Sequence, residues 1–236
     1  MNILSIFQGS PLLAAFSVFS QSPLDGMLSL VIFLISIVAA VTVHEFAHAW
    51  VADYLGDDTP HMMGRVTLDP SAHLDPTGSV LFLILGFGWG RPVIYNPMRL
   101  SRRVDELYIA LAGPIMNLLV ALILNFLAFV TSSHLPLFAT VMQYAAYWNV
   151  LLAAFNVIPI PPLDGSAIVA YFWPPYRSLI GSQIGTSIIF LILILSFLGV
   201  NFIGAIIQPL ANAAYQLTTI FGILIPHATI TFPFIF

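Results

Sequence analysis

The chain has 236 residues, 59% of them hydrophobic and only 7% charged, with a formal net charge of −4. So few charges cannot cover a soluble domain, and six arginines without a basic stripe give no footing for nucleic acid. The absence of cysteine excludes disulfides and thiolate ligands, so any metal must be held by His, Asp, Glu or water.

Residues 1–20 are apolar but broken by Gly9, Ser10 and Pro11, and they lack the basic start of a secretory signal. They are expected to form a short first span or an interfacial helix. Residues 27–50 read as a spanning helix, opened by Pro23, Asp25 and Gly26 and closed toward Gly56, Asp57 and Asp58. From 59 to 103 the composition changes to prolines and glycines, with five of the six arginines. The pieces Arg65-Val66-Thr67-Leu68 and Pro92-Val93-Ile94-Tyr95 predict short strands joined by turns. Inside this region 80–89 is apolar but short for a crossing, and Gly86, Gly88 and Gly90 predict a loop that dips into the membrane and returns. Residues 107–130, 137–158, 179–198 and 202–225 supply four further spans.

The expected architecture is an all-α polytopic membrane protein of about five to six transmembrane helices, with a small strand and re-entrant insertion. One domain covers 1–236, with a catalytic core at 27–170 and C-terminal helices at 179–225. If 80–89 returns to its own side, then Arg65, Arg91, Arg99, Arg102, Arg103 and Arg177 share one face of a cell membrane. The excess of positive charge makes that face cytoplasmic.

Near the end of the first long helix stands His44-Glu45-Phe46-Ala47-His48. Two imidazoles four residues apart share one helical face and can grip one metal ion, while the carboxylate between them can take a proton from water. The bland alternative is a pair of structural histidines, but a carboxylate at membrane depth is costly and normally has work or a partner. A tetrahedral site with one open position needs a third protein ligand. Asp164 is the only acidic residue after Glu106, and the helix over 137–158 descends to the depth of His44 and His48. Its ordinary alternative is an Asp-Gly turn cap before Gly165.

These elements, together with Ala112-Gly113-Pro114, Asn117 and Phe155-Asn156-Val157-Ile158-Pro159-Ile160-Pro161-Pro162-Leu163-Asp164-Gly165, resemble the site-2 protease family of intramembrane zinc metalloproteases. The likeness extends through Gly64-Arg65-Val66-Thr67-Leu68-Asp69-Pro70, His73-Leu74-Asp75-Pro76 and Gly88-Trp89-Gly90-Arg91-Pro92-Val93, covering about 41–170, and is to the compact subgroup without a PDZ domain. Asp69 stands where Asn is more usual. The resemblance implies that His44, His48 and Asp164 bind Zn2+, that Glu45 is the general base, and that Asn156 holds substrate or the oxyanion. It implies a transmembrane protein substrate cut within the bilayer.

For Asn117 a place near the site and a helix-packing amide are both open, as are a gating group and a loop histidine for His73. Substrate backbone freed by unwinding needs hydrogen-bond partners, and an edge strand at 65–69 or 92–96 would supply them. A divalent-cation transporter using the same cluster is the alternative function, yet transport gives no reason for Glu45 between two ligands. A catalytically silent scaffold gives no reason for the motifs at all.

Overall fold

In the computed structural model, residues 22–85, 88–180, 182–197 and a few positions between 205 and 216 are described. The first 20 residues and most of the span expected at 202–225 lie outside them. The described chain is mostly helical, and three of its helices are long and apolar enough to cross a membrane.

The first of these, α1 (Pro23–Tyr54), starts where the sequence favours a start. Ser22 caps it by accepting from Asp25 N, Pro23 sits in its first turn, and Asp25 faces the positive end of its dipole. It stops at Gly56, whose φ of 106° suits a residue without a side chain. The short helices α2 (Thr59–Met62) and α3 (Pro70–His73) follow, then α4 (Pro76–Leu85). The two other long helices, α5 (Arg103–Thr131) and α6 (Pro136–Asn156), form a hairpin, and α7 (Asp164–Phe172) and α8 (Gln183–Phe197) close the described chain.

α5 packs most extensively on α6 and next on α1. The buried faces carry small residues at helical spacing: Ala40, Ala47 and Ala52 on α1, Gly113, Ala121 and Ala128 on α5, and Ala139, Ala146 and Ala153 on α6. Small residues let backbones approach closely, which matters in lipid, where dispersion and polar contacts rather than water exclusion hold helices together. Phe33 and Trp148 meet edge to face at 4.9 Å and, with Ile37, Val41 and Tyr144, seal one flank.

The insertion departs from expectation in two places. No strand forms among the described residues; Leu74 and Gly90 make one isolated antiparallel bridge, accompanied by Arg91 N donating to His73 O at 2.7 Å. Asp69 caps a helical turn at Ser71 N instead, and Pro92 and Pro97 bound the second candidate strand with residues that cannot donate. The stretch expected to dip as an irregular loop is largely α4, capped by Asp75 through Gly78 N at 2.8 Å. Glycines are needed where it folds back, because a Cβ on Gly78 would lie 2.1 Å from Trp89 O and one on Gly88 2.0 Å from Gly78 O.

Asp57 fastens the insertion to the end of α1. Its buried carboxylate accepts from Thr59 N, Thr59 Oγ1 and Asn96 N. Burial alone would raise its pKa, but these hydrogen bonds and the Arg99 charge outweigh that and hold it below the usual carboxylate value. A depressed folded-state pKa means the stabilisation is full above the unfolded value of 3.8 and fades as pH falls through the folded one. Asp57→Asn should therefore lower stability by about 1–3 kcal/mol at neutral pH. Thermal melts of the two proteins should converge as pH drops below about 4.

Candidate metal centre

On α1, Ile37, Val41, His44 and His48 recur at intervals of three and four, so both imidazoles sit on the face buried against α5. His44 Nδ1 lies 2.6 Å from Asn117 Oδ1, and His48 Nδ1 lies 2.7 Å from Ile109 O. The Asn117 amide orientation follows from its other end: Nδ2 donates to Ala40 O at 3.0 Å and to Asn149 Oδ1 at 2.9 Å. Asn149 in turn donates to Ala145 O. Oxygen therefore faces His44, and both histidines carry their proton on Nδ1. Pro114, inside α5, has no N–H for the carbonyl of Ala110, the residue after Ile109.

With both Nδ1 atoms occupied, the two Nε2 lone pairs face each other across 3.1 Å, and Asp164 Oδ2 lies 3.2 Å from each. That oxygen is buried without a hydrogen-bond partner. Three electron-rich atoms converging on one point repel unless a cation lies among them. Their separations match the ~3.3 Å edge of a tetrahedron with arms of ~2.0 Å, the length of zinc bonds to nitrogen and oxygen, which leaves a fourth corner open. The residues fit a metal ion, and all three belong to one cluster able to hold it.

Two glycines make this convergence possible. A Cβ on Gly113 would lie 2.4 Å from His48 Nε2 and 2.7 Å from His44 Nε2. A Cβ on Gly165 would lie 2.1 Å from Val157 O, where the start of α7 crosses the end of α6. Asp164 is thus delivered by a chain reversal through Pro159, Pro161 and Pro162, braced by Ile160 N to Ile158 O and by Ser166 Oγ to Leu163 O.

The remaining expected residues are placed as follows. Glu45 is 14% exposed, with Oε2 3.8 Å from an Arg65 nitrogen. Asn156, the last residue of α6, donates to Leu152 O within its own helix at 3.0 Å. Asn117 lies in the site as the partner of His44. His73 is the buried last residue of α3, and its Nε2 faces Thr67 O at 2.8 Å. The sequence reading missed Asn149 and Gly113 as parts of the centre. Asn149 shares the buried face of α6 with Ala146 and Ala153, and a polar residue on such a face was the available signal. A cavity of about 270 Å3, lined by Tyr95, Arg103, Glu106, Tyr171 and Arg177 among others, includes none of the three cluster residues. Its cations are engaged: Arg177 pairs with Glu106, and Arg103 donates to Ala170 O and Tyr171 O.

A helical membrane protein with a buried His-His-Asp cluster and a carboxylate beside it defines a class of metal-dependent membrane hydrolase. The model of peptidase family M50 matches residues 32–138 and 132–200, and the chain belongs to that family. It is 37% identical over 191 residues to "Putative zinc metalloprotease YwhC" of Bacillus subtilis, covering 76% of this chain and 85% of that protein. It is 32% identical over 137 residues to "Putative zinc metalloprotease Rip2" of Mycobacterium tuberculosis, covering 54% of this chain and 52% of the relative. No solved structure matches significantly.

Gly113→Ala should drive both imidazoles apart. The expected outcome is loss of bound metal, measured by elemental mass spectrometry, with helical circular dichroism retained. Asn117→Ala should weaken metal binding about 10–100-fold, because His44 loses the partner that fixes its tautomer.

Proposed function

We propose that this protein is an intramembrane zinc metalloendopeptidase that hydrolyses peptide bonds within or near transmembrane segments of membrane-anchored proteins. The observation that carries the reading is the pair of bare Nε2 atoms 3.1 Å apart, both 3.2 Å from an unpartnered Asp164 oxygen, with Glu45 one residue from a ligand. His44, His48 and Asp164 hold the ion. When bound, Zn2+ supplies Lewis acidity that polarises a scissile carbonyl and acidifies water.

The chain's own residues do the rest. Glu45 takes a proton from the attacking water and passes it to the leaving amine, so one carboxylate serves as base and then as acid. Asn117 and Ile109 O keep the imidazoles in the tautomer that offers Nε2. Asn156 donates to the developing oxyanion by turning from its bond to Leu152 O. Val93, Ile94 and Tyr95 make no backbone hydrogen bond among the described residues, and their exposure alternates between half-buried and exposed. An unwound substrate pairs with this edge in the manner of an added strand.

The whole chain forms one protease domain of five to six spans, the catalytic core at 27–170 and C-terminal helices at 179–225. The centre lies toward the cytoplasmic side of a cell membrane. The support is the grouping of arginines at one end of the helices: Arg99 pairs with Asp58 after α1, Arg102 caps α5, and Arg103 and Arg177 join α5 to α7 and the turn beyond it.

The test is zinc content together with cleavage of a panel of single-span substrates by purified wild type, Glu45→Gln and Asp164→Ala. Glu45→Gln should keep zinc and lose turnover by about 10²–10⁴-fold. Asp164→Ala should lose both. Metal flux without proteolysis in wild type would overturn the reading in favour of transport.

A further inference from the structure

Arg65 is 4% exposed, and its guanidinium reaches three oxygens of consequence. One terminal nitrogen donates to Pro92 O at 3.1 Å, the other donates to Arg91 O, and that second nitrogen also lies 3.8 Å from Glu45 Oε2. Its Nε is buried with no partner. Burying a guanidinium costs more than burying an apolar chain of similar size, so packing alone does not account for it. Around it, Arg91 N is held by His73 O, and Gly90 sits so close to α1 that a Cβ would lie 2.9 Å from Val41 Cγ1 and 3.4 Å from Glu45 Oε1. Immediately beyond the two clamped carbonyls come Val93, Ile94 and Tyr95, which make no backbone hydrogen bond among the described residues.

From this juxtaposition we infer that Arg65 is a positioning residue that fixes the register between the substrate-pairing edge at 93–95 and the Glu45 carboxylate. The inference rests on the hydrolytic reading above. A planar fork holding two successive carbonyls is geometrically specific in a way that a point charge is not. Pairing along an extended edge has a period of two, so a slip of one residue presents a different bond and the opposite face to the base. Arg65 therefore selects which peptide bond is cut as well as how fast.

The experiment uses the full-length, zinc-loaded chain in detergent with the panel of single-span substrates, comparing wild type, Arg65→Gln and Arg65→Lys. Four quantities are read: zinc per protein, kcat and KM separately, the cut position by mass spectrometry, and amide exchange across 90–96. With Arg65→Gln, zinc is retained and exchange across 90–96 quickens at the held amides, Arg91 N on His73 O and Asn96 N on Asp57. Turnover falls about 100-fold, mainly in kcat, as expected for misplacement of about 1 Å. New products appear, cut one or two residues from the original bond. Arg65→Lys keeps a cation beside Glu45 and recovers part of kcat, yet still cuts at several bonds because it cannot bridge both carbonyls. Unchanged kcat per zinc-loaded molecule with a single cut position would overturn the inference, as would unchanged exchange across 90–96 in either variant. If Arg65→Gln fails to fold, Arg65→Lys decides by the same readouts. Absence of cleavage by zinc-loaded wild type would refute the hydrolytic reading itself, leaving the clamp to be judged by exchange alone.

Discussion

Two imidazoles whose Nδ1 atoms are committed to oxygens on a neighbouring helix must turn their Nε2 atoms toward whatever lies between them, and here that is each other, at 3.1 Å. In a low-dielectric interior such an encounter is unfavourable without a cation, and the Asp164 carboxylate sharpens the demand. Much of the described packing serves this constraint. The small-residue faces bring α1 and α5 close enough for Asn117 and Ile109 O to reach the histidines. The absence of a side chain at Gly113 leaves room where the lone pairs converge, and Gly165 lets α7 begin against the end of α6. The candidate metal centre and the helix packing are one structure, since the groups that orient His44 and His48 are also polar contacts that tie the helices together.

The parts legible in the sequence were those whose chemistry is local. A four-residue spacing puts His44 and His48 on one face whatever else happens, and apolar runs long enough to span announce α1, α5 and α6. Asp164 was reachable by elimination and depth, because it is the last acidic residue and follows a descending helix. Asn149 and Gly113 were not reachable in that way. Their importance is set by what faces them across a helix interface; periodicity puts Asn149 on a buried face and the motif includes Gly113, but neither says what the residue meets. The insertion misled for a related reason. Arg65-Val66-Thr67-Leu68 has the composition of a strand, but a strand needs a partner, and Asp69-Pro70 offers a helical turn with its own cap.

The insertion resolves the conflict between a hydrated reaction and an apolar chain. Its polar groups are buried but mostly answered from within: His73 through Thr67 O, Arg65 through Arg91 O and Pro92 O, Asp57 through Thr59 and Asn96. Among the buried side-chain atoms left without a hydrogen-bond partner are Asp164 Oδ2 in the cluster and, in the insertion, Arg65 Nε and His73 Nδ1.

α1 has 32 residues, which at 1.5 Å each gives a rod of about 48 Å against a hydrocarbon layer of about 30 Å. A helix with that surplus tilts, protrudes or thickens the lipid around it, and the balance shifts with the bilayer it occupies. His44 and His48 are fixed to this rod and to two other helices, so they travel with its tilt. The tilt of α1 in a bilayer therefore sets the depth of the His-His-Asp cluster as well.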